Sequence, residues 1–526
     1  MRGASMPEPA AAALVAVLTA PPAADGRELR ALPPAVSCLE VRADRLGDLD
    51  PDWLRDHFAG ELLYTLRSAA EGGDFAGSRE QRRSRLMAAA ARYDLVDLEG
   101  ARDLDQELLS RLPASRRVLS WHGGAATAAD ATELARRFDE LAGTAARLYR
   151  LGVSARDAAD ALAPLAMLAA LRRPDVTAIA TGPAGSWSRL LAALLGAPIA
   201  FGAVADGVHG TDGDGAFTAA RLVSDFGLPG LPRVNRLFGI VGPAVGRSLS
   251  PRLHNDAYRR LGLPALYVPF QVEDLRAFLE AVEAGLEALG MPLCGLTVTA
   301  PYKESALGVA DTVTPLARRA GAANTMLRHG GAWQADTADA LGVVAALGAS
   351  RIAVAGRQAA VVGCGGAGRA AAAGLQQAGA SVTLVNRGQE RGEHAARLLG
   401  LPFVPLAGFT PRGYALVVNA TSCTGAGDDW PFLPEELDPD SVLVDLPYAS
   451  GPTPLAAATA ARGRTTIDGR EVLLVEAQHQ FELMTGQRMA AGPARALIEP
   501  GGVSFHATID SYRMNQPPDR PGPALG

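Results

Sequence analysis

The 526-residue chain predicts an α/β protein: an N-terminal (β/α)8 barrel followed by a two-domain α/β region. Three observations carry that expectation. Residues from 11 to about 230 alternate short apolar runs with stretches long enough for helices, and eight runs in roughly 220 residues is a barrel rhythm. The segment 227–235, GLPGLPRVN, breaks the pattern with two prolines and two glycines and reads as a linker. Residues 359–387 then read as strand, glycine-rich loop, helix and strand.

Taken in order, barrel strands are expected at 14–20, 37–43, 62–67, 93–99, 117–122, 146–153, 176–182 and 199–204. The stretch 11–24 has the apolar character of a weak signal segment. Acidic Glu8 stands where a signal would be basic, so a buried first strand is the better reading. Candidate helices fill 75–92, 126–142 and 154–172 between these strands. The barrel is expected over 11–228 and a second α/β domain over 236–345, joined by a returning segment at 471–500. A nucleotide domain is expected over 346–470, and the Pro-rich stretch 515–526 reads as a disordered tail.

Composition limits the function. With 50 Lys+Arg against 56 Asp+Glu the net charge is −6, which argues against a nucleic-acid surface. Cys38, Cys294, Cys364 and Cys423 lie far apart without a C-x-x-C pair, so no metal site or disulfide framework is expected and a reducing cytoplasm fits. The longest uncharged apolar run, 190–205, is too short to span a membrane and contains Gly196 and Pro198. Lys303 is the one lysine in the chain. Any chemistry that needs an amine side chain must use it.

In AAVVGCGGAGR, Gly363, Gly365, Gly366 and Gly368, with Ala367 between them, permit a tight turn and close approach of a pyrophosphate to a helix N-terminus. The next strand ends in Asn386-Arg387 rather than Asp or Glu. An acidic residue there would repel a ribose 2′-phosphate, whereas Arg387, aided by Arg391, attracts it. The expected cofactor is NADP.

The clusters GPAVGRSLSPRLHN (242–255), LTVTAPYK (296–303), GAANT (321–325) and ADTADALG (335–342) resemble the shikimate dehydrogenase family, over about 236–487. That resemblance implies NADPH-dependent, reversible reduction of 3-dehydroshikimate to shikimate. It implies that Ser248 and Ser250 bind the substrate carboxylate, that Thr299, Asn324 and Asp339 hold ring hydroxyls, and that Tyr448 lies near the substrate. Lys303 is then the acid/base and Asp339 its partner. An ammonium within reach of the developing alkoxide supplies its proton, and a carboxylate orients the ammonium. Two departures are visible: the family's Asn-Thr-Asp reads Thr337-Ala338-Asp339, and its substrate-facing glutamine reads Glu476, which leaves shikimate or quinate preference open. His254 and His479 are assigned structural or surface roles.

Residues 12–225 resemble type I 3-dehydroquinate dehydratase through LEVRAD, TLRSAAEGG, DLVDLE, LSWH and GSWSR. The resemblance implies substrate binding by Glu40, Arg42, Arg67 and Arg189, with His122 as general acid/base. The family's imine-forming lysine falls on Arg150, and its late-loop glutamine on Ala216. A guanidinium stays protonated and does not form an imine. The expectation is a working dehydrogenase fused to a barrel without Schiff-base chemistry. The alternatives are a fully bifunctional enzyme using His122, or a barrel that serves as a ligand-binding or scaffold module. Its partners are small-molecule substrates, with neither nucleic acid nor membrane.

Overall fold

The computed structural model describes residues 12–123, 131–205, 217–425, 430–448 and 451–499; Ala216 and the stretch 515–526 lie outside them. The first sheet comprises β1 (Ala13–Leu18), β2 (Val36–Arg42), β3 (Glu61–Thr65), β4 (Leu95–Glu99), β5 (Arg117–His122), β6 (Leu148–Ser154), β7 (Val176–Thr181) and β8 (Ile199–Ala203). Each strand pairs in parallel with the next in sequence up to β7, and β8 returns to pair with β1. Between β7 and β8 the Thr177 hydroxyl reaches the Ile199 carbonyl at 3.4 Å. The result is a nearly closed parallel barrel, as the eight apolar runs predicted. Successive side chains alternate across a strand, so Glu40 and Arg42, Ser120 and His122, and Arg150 and Gly152 share the inner face. Register sets Arg150 beside Ser120 and Gly152 beside His122.

The second sheet comprises β9 (Arg236–Gly242), β10 (Ala265–Gln271), β11 (Leu293–Val298), β12 (Thr312–Val313), β13 (Thr325–His329) and β14 (Ala332–Asp336). Its order is β10-β9-β11-β13-β14-β12, with β13 antiparallel to both neighbours. The link between barrel and second sheet is packed rather than loose. Leu228 and Val234 are buried, the Trp187 ring meets Phe270 edge-on at 5.4 Å, and Asp225 pairs with Arg252 at 2.7 Å.

The third sheet comprises β15 (Gln358–Val362), β16 (Ser381–Asn386), β17 (Phe403–Pro405), β18 (Leu416–Asn419), β19 (Val442–Asp445) and β20 (Thr465–Asp468). All its pairings are parallel, in the order β17-β16-β15-β18-β19-β20. Winding reverses between β15 and β18, and the crevice at their carboxyl ends is where doubly wound sheets bind ligands. Helix Gly469–Thr485 follows this sheet but packs back on the second, burying Leu474, Ala477 and Phe481 against Phe238 and Tyr258. No helix among the described residues is long and apolar enough to cross a membrane.

Candidate active site

A cavity of about 150 Å³ lies between the second and third sheets, lined by Ser250, Thr297, Thr299, Lys303, Asn324, Asp339, Ala367, Tyr448, Glu476 and Gln480 among others. Lys303 follows β11, and Asp339 begins helix Asp339–Ala349 after β14. β13 runs antiparallel to both β11 and β14, so those two strands point the same way and end at one edge of the sheet. The Lys303 ammonium donates to both Asp339 oxygens, at 2.7 and 3.0 Å. Asn324 Nδ2 donates to Asp339 Oδ1 at 2.8 Å, and Asn324 Oδ1 accepts from the Ala338 N–H at 2.7 Å. The carboxylate is therefore gripped from two sides.

Burial alone would lower the Lys303 pKa. The charge of Asp339 and its hydrogen bond to the ammonium outweigh it and hold the value above the ordinary one, so the side chain is an ammonium at neutral pH. That is the form that can give up a proton. Tyr448 stands beside Ser248, and the Tyr267 hydroxyl donates to Thr297 at 2.6 Å behind Ser250. Seven of the eight expected dehydrogenase site residues thus line one cavity, and the eighth, Ser248, stands beside Tyr448. His254 lies outside it, fully buried and stacked on Tyr267 at 4.2 Å.

The glycine loop leads from β15 into helix Gly366–Gln377. Gly363 has φ 106°, and a Cβ on Gly368 would lie 1.8 Å from the Gly363 carbonyl oxygen, so both must be glycine. Beside Gly365 the space is open, and the helix begins without a side-chain cap. Its first N–H groups are available to a pyrophosphate, and a dinucleotide fits. Asn386 Oδ1 accepts from the Cys364 N–H at 3.1 Å and braces the loop, while Arg387 is exposed at the end of β16. Arg391 differs from the expectation: it pairs with Glu304 at 2.6 Å, and buried Arg369 also meets Glu304 at 3.1 Å. Glu304, next to the site lysine, holds the side chain expected to assist phosphate binding.

In the barrel, Arg42, Arg67, His122, Arg150 and Arg189 line one narrow cavity. Arg150 pairs with Glu40 at 2.7 Å and Asp97 at 3.6 Å, and its guanidinium lies 4.0 Å from the Phe201 ring centroid. Glu40 also accepts from Thr65 at 2.9 Å, and Arg42 makes a two-bond pair with Asp44. Burial acts against ionised Glu40, but Arg150, Arg67 and Arg42 outweigh it and its pKa is lowered. Asp97 is pushed up to about 6 by burial, partly offset by Arg150. His122 is buried, its Nε2 has no hydrogen-bond partner among the described residues, and burial with three nearby arginines keeps it neutral. Its main-chain N–H and Nδ1 both face Glu71 Oε2, at 2.8 and 3.3 Å.

Comparison with known proteins decides the family. Residues 240–326 match the shikimate dehydrogenase substrate binding domain. A shikimate dehydrogenase (NADP(+)) of Acidiphilium cryptum is 38% identical over 260 residues, spanning 48% of this chain and 91% of that protein. The chain belongs to the shikimate dehydrogenase family. Ahead of that part, residues 15–226 match type I 3-dehydroquinase, so the chain is a fusion of the two. A bifunctional 3-dehydroquinate dehydratase/shikimate dehydrogenase, chloroplastic, of Arabidopsis thaliana is 26% identical over 482 residues, 85% of this chain and 78% of that protein. A solved shikimate 5-dehydrogenase of Thermus thermophilus, in complex with NADP(H) and shikimate, is 32% identical with a TM-score of 0.44, covering 50% of this chain and 98% of its own.

Three residues of this fusion escape a reading from sequence. Gln480 is buried, accepts from Thr297 at 3.0 Å and donates to Thr325 at 3.1 Å, tying the returning helix to β11 and β13. Its spacing of four from Glu476 puts both on one helix face, a signal that was there to use. Glu71 sits inside the quoted TLRSAAEGG but in a short 3-10 turn, and only the fold brings it to His122. Asp97 alternates with Glu99 on β4, so its inward direction follows from the pleat.

Proposed function

We propose that this protein is an NADP-dependent shikimate dehydrogenase whose barrel binds a small carboxylate but forms no Schiff base. In the dehydrogenase half, Ser248 and Ser250 hold the substrate carboxylate, and Thr299, Asn324 and Asp339 hold ring hydroxyls. Lys303 gives its proton to the ketone oxygen as it becomes an alkoxide. Asp339 fixes the ammonium and stabilises it again once a proton returns. NADP, when bound in its reduced form, supplies the hydride. The backbone of Gly365, Gly366, Ala367 and Gly368 would hold its pyrophosphate, with Arg387 at the 2′-phosphate. What supports this reading is the 2.7 Å pair of the chain's one lysine with Asp339 inside the cavity.

For the barrel the supporting observation is Arg150. It stands at the centre, ion-paired on two sides and stacked on Phe201, where imine chemistry would require a free amine. Glu40, Arg42, Arg67 and Arg189 then serve to retain a ligand. A second reading, dehydration without an imine, draws on His122: it is neutral, braced by Glu71, and its Nε2 has no hydrogen-bond partner among the described residues. Incubating the full chain with 3-dehydroquinate alone separates the two. Ligand-dependent thermal stabilisation without growth of enone absorbance is expected. Growth of that absorbance, abolished in His122→Ala, would replace the first reading with the second.

A further inference from the structure

The dehydrogenase cavity holds one acidic group more than its acid/base pair uses. Glu476, on helix Gly469–Thr485, lines the cavity with Lys303 and Asp339, and its carboxyl faces that of Asp339. The contact is built into the helix packing. A Cβ on Gly342, one turn after Asp339, would fall 2.6 Å from Glu476 Cγ and 2.9 Å from its Oε1. Glycine at 342 thus makes the room through which Glu476 reaches Asp339. Two carboxyl groups facing each other beside a single ammonium favour one proton between them, since two ionised ones repel and offer only acceptors.

We propose that Glu476 works in the protonated form, sharing its proton with Asp339, so that the lysine–carboxyl cluster is neutral when the anionic substrate binds. Resting on the assignment of this cavity as the shikimate site, the inference adds a residue that sets substrate affinity through its own charge. With Glu476 as an acid, the cluster of one ammonium, one carboxylate and one carboxylic acid has no net charge. Loss of that proton leaves a net negative charge facing a substrate that already carries a carboxylate. It also removes the donor that a glutamine amide would have offered. Among the described residues the titratable groups facing Glu476 are Lys303, Asp339 and Tyr448. Burial first, then the Asp339 charge, pushes Glu476 up to about 8, against the opposing pull of Lys303.

The test follows KM for shikimate and kcat across pH in the full-length protein and in Glu476→Gln, which keeps shape and hydrogen bonding but cannot ionise. The expected wild-type KM is flat below neutrality and climbs about tenfold per pH unit once Glu476 ionises. In Glu476→Gln that climb disappears, while any change in kcat with pH persists. Superimposable KM profiles overturn the proposal. Unchanged NADP affinity in the variant shows that it is folded. If that affinity is lost, wild-type calorimetry decides alone: shikimate binding above pH 8 in two buffers of different ionisation enthalpy should take up close to one proton, and no uptake refutes the idea. Full turnover in Lys303→Ala would instead remove the site assignment itself, a different failure from matching pH profiles.

Discussion

Replacing Lys303 by alanine removes the ammonium that donates to Asp339 at 2.7 and 3.0 Å. Alanine retains the Cβ, which lies 2.9 Å from where a Cβ on Gly366 would be, so the packing between the acid and the nucleotide loop survives. Two losses follow in the chemistry. Proton transfer from a positioned side chain contributes about 10²–10⁴ in rate, equivalent to roughly 2.7–5.4 kcal/mol of barrier. Asp339 and Glu476 are left without their cation in a buried site, so an anionic substrate meets uncompensated carboxyl groups and KM rises. We therefore expect kcat for 3-dehydroshikimate reduction to fall at least about 10²-fold, with a higher KM and nearly unchanged NADP binding. NADPH absorbance gives the rates and quenching of bound-NADPH fluorescence gives the affinity. A kcat within a few-fold of wild type would refute Lys303 as the proton donor. A parallel loss of NADP affinity would place its role in the loop packing instead.

Arg387→Ala should weaken NADP by more than tenfold while changing NAD little, because only NADP carries the 2′-phosphate that a guanidinium pairs with; equal losses would mean Arg387 supports the fold shared by both. Gly366→Ala should lower kcat more than NADP affinity, since its methyl would press the Lys303 stem away from Asp339; a variant with wild-type kcat would contradict that contact. In the barrel, Arg150→Ala leaves Glu40 and Asp97 buried without their shared cation and should cost about 3–5 kcal/mol in urea unfolding of the first transition. A loss below about 1 kcal/mol would show that the two carboxyls find other partners.

Much of the fold was legible because strand patterning and glycine placement are local signals. The eight apolar runs lie on β1 to β8, and the glycine loop lies between a strand and a helix as its spacing required. What sequence could not supply was pairing across strands distant in the chain. Arg150 on β6 reaches Glu40 on β2, 110 residues away, because a closing barrel turns both side chains inward. That the position carries no amine was readable from one residue type, but its ion pairs were not. Arg391 shows the same limit, for a charge near a strand end looks available until the fold sets Glu304 beside it. Glu476 lay between these cases: the resemblance marked it as substrate-facing, while its approach to Asp339 depended on the bare Cα of Gly342.

The proposed protein is a lysine-dependent dehydrogenase fused to a barrel that forms no Schiff base. Borohydride reduction of the full-length protein in the presence of 3-dehydroquinate, followed by peptide mass mapping, tests this most directly. No substrate adduct is expected on any peptide of residues 12–225, while the same preparation reduces 3-dehydroshikimate with NADPH. A reduced adduct within the barrel would contradict it, because no side chain there carries the amine that an imine requires.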